Sequence, residues 1–340
     1  MTSSDRRLNS SVSEGAQWKE AYSNPLVWDN HSCMPIRPND LSFMPQLALV
    51  RDSGVDLVVL NIGYGEVPWQ DHIKTLAAFR AWLADHSDKY RIVGTIEELD
   101  AARRDGVLAI AFDIEGAAAI DDQIALVQLY YDLGVRWMLI AYNKPNRLGG
   151  GCHQEDRGLT AFGRDVVREM ERVGMLVCCT HTGWKTARDV LDLARQPVIF
   201  SHSNAHAVHA HPRNIPDDLI RGCAETGGVI GVNGIGIFLG EGDPIERIYA
   251  HIDHIVSTVG YEHVGLGLDY VFDQRELDDA LAKMRATFPA GHGYEAGIKL
   301  VGPESIRGIA DRLCSAGYSM DAVTAILGGN FRRVAAATWR

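Results

Sequence analysis

A chain of 340 residues, 46% hydrophobic and 23% charged, has the composition of a globular protein and length enough for one large α/β domain. Its formal net charge of -11 argues against non-specific nucleic-acid binding and against docking on an anionic membrane, because both need a basic patch. The expected partner is therefore a small molecule.

The opening residues, MTSSDRRLNSSVSEGAQWKE, are polar and lack the apolar core of a signal peptide. No window of about 18 uncharged apolar residues follows them. This pattern predicts a polar tail over 1–25 and a single domain over 26–340, in a cytoplasmic protein. The six cysteines (Cys33, Cys152, Cys178, Cys179, Cys223 and Cys314) have no zinc-finger spacing and read as free thiols, with Cys33 the one placed for chemistry.

Apolar runs then recur as LVWDN, LVVLN, VLAIAFD, RWMLIAY, MLVCCTH, PVIFS, GVIGVN and HVGLGLD. Between most of them lies a segment of helical periodicity, such as HIKTLAAFRAWLADH or AFGRDVVREMERVG. Near-continuous apolar strands alternating with helices describe a parallel sheet covered on both faces, and eight repeats predict a (β/α)8 TIM-type barrel. A doubly wound open sheet is the alternative, but no strand leads into a GxGxxG turn.

The C-terminal edge of such a barrel carries its active site. At or just past the runs stand Asp29, His31, Asn61, Asp113, Glu115, Tyr142, Asn143, His181, His202, Asn233 and Asp269. His181 and His202 follow successive strand-like runs joined by a helical segment, which brings both imidazoles to the same sheet edge. A lone histidine there is more often a hydrogen-bonded core residue; paired histidines among several carboxylates read as a metal site.

Other features have plainer readings. His206, His209 and His211 in NAHAVHAHP read as solvent-facing or substrate-rim residues. RLGGGCHQEDRG lacks the Lys-Ser/Thr of a phosphate loop and reads as a flexible rim loop. Trp28, Trp69, Trp137 and Trp184 read as packing or dimer contacts.

The segments GTIEELDAARRDGVLAIAFDIEGA, GLTAFGRDVVREMERVGMLV, PVIFSHSNA, RNIPDDLI, GGVIGVNGIGIFL, HVGLGLD and ILGGNFRRV resemble the renal (membrane) dipeptidase family, peptidase family M19, among the amidohydrolase-like barrels. The likeness runs from about Trp28 to Val334. It implies hydrolysis of dipeptides, with a D-residue tolerated at the C-terminal side, by a hydroxide shared between two zinc ions. Residue by residue, it makes Glu115 the bridging carboxylate, His31 a ligand of the first metal, and His181 and His202 ligands of the second. Asp269 becomes the proton-handling aspartate. Arg213, in HPRNIPDD, becomes the clamp on the substrate carboxylate, a task suited to a bidentate guanidinium.

Four departures stand beside the likeness. In WDNHSCMP, Cys33 occupies the place of the family's aspartate. A thiolate there completes a His31, Cys33, Glu115 site, whereas a merely packed thiol leaves that site weak, so two zinc ions per chain are expected and one is possible. Tyr142 replaces a histidine that reaches the substrate, and its hydroxyl can donate to an oxyanion. Cys178 replaces an aspartate before the metal histidine, and LDYVFD replaces an aspartate-aromatic-aspartate-glycine run. Asp29 is expected to support His31. The leading expectation is a metallo-dipeptidase; the alternatives are a changed reaction on another small amide or carboxylate, and a non-catalytic small-ligand binder. A homodimer is expected, as for most symmetric oligomers.

Overall fold

The computed structural model describes residues 14–295 and 297–340. Among these residues ten strands form, all pairing in parallel: β1 (Trp28–Cys33), β2 (Leu57–Tyr64), β3 (Tyr90–Ile92), β4 (Leu108–Glu115), β5 (Val135–Leu139), β6 (Leu176–Cys178), β7 (Val198–Ile199), β8 (Ile230–Val232), β9 (Val264–Leu266) and β10 (Tyr270–Val271). Eight run in the order β7-β6-β5-β4-β2-β1-β9-β8. The two ends of that path meet where the Phe200 N–H donates to Val229 O at 3.1 Å and the Gly231 N–H to Phe200 O at 2.8 Å. The expected (β/α)8 barrel is therefore present, and its eight strands lie on the eight apolar runs. β3 and β10, which pair with β4 and β1, fall outside the runs because Arg91 interrupts the first and Asp269 and Asp273 closely flank the second.

Both faces of the eight barrel strands are buried, and their residues still alternate. Leu57, Val59, Ala109, Ala111, Trp137, Leu139, Leu176 and Cys178 share the inner cluster, while Val58, Leu60, Ile110, Phe112, Met138 and Val177 join the outer core beneath the helices. Trp28 and Trp137 are packing residues inside the barrel, at 2% and 1% exposure.

The helices begin and end on local signals. Thr95 and Glu98 form a reciprocal capping box at Ile96–Asp105, and Gly106 closes that helix at φ 71°. In Ala161–Val173, Val166, Val167, Met170 and Val173 form the buried stripe, three and four residues apart. Before the barrel, Glu14–Tyr22 docks through Lys19, whose Nζ lies 2.6 Å from Asp56; the tail expected over 1–25 otherwise reaches residues outside those described. No helix among the described residues is long and apolar enough to cross a membrane.

Three irregularities matter for the site. The β1–β2 register shifts between Asp29 and Ser32, the β2–β4 register between Asn61 and Tyr64, and the β4–β5 register between Phe112 and Asp113, each beside a residue that carries chemistry. Past β10, the helix Gln274–Lys283 is capped by Asp273 and lies over the same end of the barrel, packing with Phe288 and Tyr294 into a small hydrophobic cluster.

Candidate metal centre

The strand ends deliver their side chains to one point. His31 (β1), Glu115 (β4), His181 (after β6) and His202 (after β7) are all buried. Glu115 Oε1 lies 3.6 Å from His31 Nε2, 3.3 Å from His181 Nε2 and 3.2 Å from His202 Nε2. Cys33 Sγ is 3.3 Å from His31 Nε2, and Asp269 Oδ1 is 3.5 Å from the same nitrogen. Two donor groups, His31/Cys33/Asp269 and His31/Glu115/His202, each hold their ligand atoms within 4.8 Å of one another.

Neighbours fix which imidazole nitrogen faces inward. His31 Nδ1 is 3.0 Å from Asp113 Oδ2 and His181 Nδ1 is 2.6 Å from Asn143 Oδ1, so in both rings Nδ1 carries a proton and Nε2 points to the centre. Asn61 Nδ2 donates to the other oxygen of Asp113 at 2.8 Å. His202 Nδ1 meets Ser201 Oγ at 2.9 Å, and the Cys178 thiol donates to Ser201 at 3.1 Å. Cys178 thus reaches the centre only through Ser201.

These nitrogens converge on a carboxylate oxygen that has no hydrogen-bond donor among the described residues. Such a cluster is repulsive unless a cation or a proton lies within it. Burial pushes Glu115 up to about 8, with His31 opposing the shift and Asp113 and Asp269 adding to it. Burial likewise raises Cys33 to about 12 against the pull of His31, and drives His181 and His202 well below the ordinary imidazole value. For His31 burial also pulls downward, but Cys33, Asp113 and Glu115 outweigh it and hold the ring well above that value, so its Nε2 carries a proton that a cation in the centre would displace. An orphaned carboxylate oxygen, inward imidazole nitrogens and an adjacent thiol fit divalent zinc.

The surroundings correct several expectations. Asp29 supports His31 as expected, but through the backbone, accepting from the His31 N–H at 3.5 Å, the Leu268 N–H at 2.9 Å and the Ser32 hydroxyl at 3.2 Å, while Asp113 holds the ring. The glycine run is a packed brace rather than a flexible rim loop. Gly149, Gly150 and Gly151 are buried, Cys152 N–H donates to His181 O at 3.0 Å, and His153 N–H donates to Asn143 O at 2.9 Å. Nor does His211 face solvent: it is buried, and its Nε2 lies 3.0 Å from His292 O. His206 and His209 are half-buried beside it and hydrogen-bond backbone carbonyls.

Asp269 lies at the cleft floor, with Oδ2 accepting from Asn233 at 2.8 Å and Oδ1 facing Cys33 at 3.7 Å. The Tyr142 ring stacks on His181, centroids 4.1 Å apart, and lines the same cleft. Arg213 is 2% exposed, and none of its three guanidinium nitrogens has a partner among the described residues. It lies over the Phe238 ring at 4.9 Å. A buried guanidinium without an acceptor is costly unless an anion arrives.

A family model described as membrane dipeptidase (peptidase family M19) matches residues 61–283. The chain belongs to this family. Two uncharacterized dipeptidases of Schizosaccharomyces pombe are 34% identical over 213 residues and 37% identical over 195, covering 59% and 55% of this chain and 51% and 46% of theirs. The chain thus spans about half the length of the curated relatives it matches. Among solved structures, an amidohydrolase from Pseudomonas aeruginosa superposes with a TM-score of 0.85 at 24% identity, covering 95% of this chain and 99% of that one. A metallopeptidase from Rhodobacter sphaeroides, liganded with a phosphinate mimic of the dipeptide L-Ala-D-Ala, superposes at 0.75 with 20% identity, covering 93% and 99%. At these identities the structural likeness establishes the fold.

Within this M19 chain, sequence reasoning did not assign Asp113, Asn143, Ser201 or Asn233 their positioning roles. Asp113, Asn143 and Asn233 stood among the strand-end residues, and that position was the available signal. Ser201 carried none, because a serine after a buried strand is unremarkable.

Proposed function

We propose that this chain is a metal-dependent dipeptidase that hydrolyses the amide bond of a dipeptide, or of a closely related small amide bearing a free carboxylate. The observation that carries the reading is the convergence of three imidazole nitrogens on the donor-less Glu115 Oε1. His31, Cys33 and Glu115 would hold one zinc ion, and Glu115, His181 and His202 a second. Zinc in such a site supplies Lewis acidity towards the scissile carbonyl and a nucleophilic water near neutral pH.

The remaining work falls to the chain's own groups. Asp269, held through Oδ2 by Asn233, turns Oδ1 towards Cys33 and His31 at the centre, where it can take a proton and return it to the leaving amine. The Tyr142 hydroxyl donates a hydrogen bond to the developing oxyanion. Arg213, lacking an internal partner, binds the substrate carboxylate through two parallel N–H bonds. The phosphinate mimic held by the Rhodobacter sphaeroides neighbour is the precedent for a D-residue on the carboxylate side.

The test combines metal content with turnover. Zinc- or cobalt-loaded protein is expected to release amino acids from some member of a panel of L,L and L,D dipeptides, and Asp269→Asn to abolish that release while keeping its metal. A fully loaded protein that cleaves no member sinks the reading. Two metals per chain support Cys33 as a ligand; one, together with the Tyr142 and Cys33 departures, favours reaction on a different small amide.

A further inference from the structure

We infer that the residue on the acyl side of the scissile bond carries a bulky apolar side chain, which packs against the helix Gln274–Lys283; this rests on the dipeptidase reading above. The cleft that begins at Cys33, Glu115, His181 and Asp269 continues outward along a wall of Ile36, Val271, Leu277, Ala280, Leu281 and Phe288. The helix is built for this. Leu277, Ala280 and Leu281 recur at three and four residues and turn to the cleft, while Gln274, Arg275, Asp278 and Asp279 are exposed on the opposite face.

The carboxylates around the wall are already engaged. Asp273 and Glu276 border the cleft, and Arg37 lies 3.3 Å from the first and 3.6 Å from the second. Glu276 also accepts from the Ile36 N–H at 3.1 Å, and Asp273 caps its own helix by accepting from the N–H groups of Arg275 and Glu276 at 3.1 and 3.2 Å. Among the described residues that line the cleft there is no lysine or arginine. A charged side chain would be desolvated here without a free partner, whereas an apolar one replaces water along the whole wall.

Direction follows from the other end. Arg213 is a buried cation with no partner among the described residues, and it is absent from the apolar wall. With the carboxylate on Arg213 and the scissile amide at Glu115 and Asp269, the acyl part has the apolar wall as its remaining space. A small side chain leaves that wall wet. A leucine or phenylalanine side chain covers it.

The experiment compares kcat/KM of the zinc-loaded enzyme for Phe-Gly, Leu-Gly, Ala-Gly, Asp-Gly and Lys-Gly. Leu-Gly and Phe-Gly are expected to exceed Ala-Gly by at least about tenfold, with Asp-Gly and Lys-Gly lower still. Leu277→Asp should lower Leu-Gly turnover at least about tenfold and raise that of Lys-Gly, with circular dichroism and metal content unchanged. Leu277→Ala, a milder change, should narrow the Leu-to-Ala ratio. Equal turnover across the five peptides overturns this inference and leaves the dipeptidase reading standing. An unaltered preference in both Leu277 variants also overturns it. Absence of turnover with all five and with the L,D panel overturns the dipeptidase reading and this inference together.

Discussion

Which nitrogen of His31 faces the metal centre is decided by a residue that never reaches that centre. Asp113 can only accept, so the His31 Nδ1 proton lies between them and Nε2 is left to donate electrons to a metal. Replacing Asp113 by Asn inverts this, because an amide that donates to Nδ1 forces the proton onto Nε2 and aims it at Glu115. The expected outcome for Asp113→Asn is a folded protein with metal affinity reduced about 10–100-fold. Competition against a chelator of known affinity measures it. Unchanged affinity would mean that Asp113 serves the barrel core rather than His31.

At the scale of the element, the site depends on how strands end. Asn143, His181 and Asp269 all adopt left-handed backbone, at φ 58°, 62° and 59°. A non-glycine residue held there costs about 1–3 kcal/mol unless its surroundings enforce it. The brace from Gly149 to His153 enforces the first two, bonding Asn143 and His181 from one side. Gly151 is its tightest point, since a Cβ there would fall 2.2 Å from the Asn143 carbonyl carbon. Gly151→Ala is expected to destabilise the fold by roughly 1–3 kcal/mol and, by displacing Asn143, to weaken metal binding at His181. Denaturant titration and metal content read the two effects; full stability would show that the brace has slack. The sequence made the strand ends visible because a buried run that stops in His, Asp or Glu breaks its own pattern. The brace was invisible because glycines read as freedom until the backbone they touch is known. The roof over the cleft was invisible for a related reason: a ten-residue helix announces an apolar stripe but not what the stripe covers.

For the whole molecule, the histidines link stability to pH. Away from the metal ligands, His251 accepts from the Ala205 N–H at Nδ1 and faces Leu239 O through Nε2. Burial pushes it down to about 4; the bond to Leu239 opposes this, while Arg247, His209 and His254 press the same way as burial. His211 is pushed down by burial to about 4 and His153 to about 3, the latter with Arg213 adding to the shift. An unfolded histidine takes its proton near 6.5, whereas these wait for greater acidity, so the unfolded chain binds more protons between the two values. Their contribution is therefore complete above about pH 6.5 and is lost as pH falls towards 4. For His251 alone the slope approaches about 1.4 kcal/mol per pH unit inside that window. His251→Gln, compared with the parent as metal-free protein so that metal loss adds nothing, should flatten the fall of denaturant stability between pH 6.5 and 4 by about that amount. A lower but parallel curve would show that His251 contributes packing and hydrogen bonds without carrying the acid response.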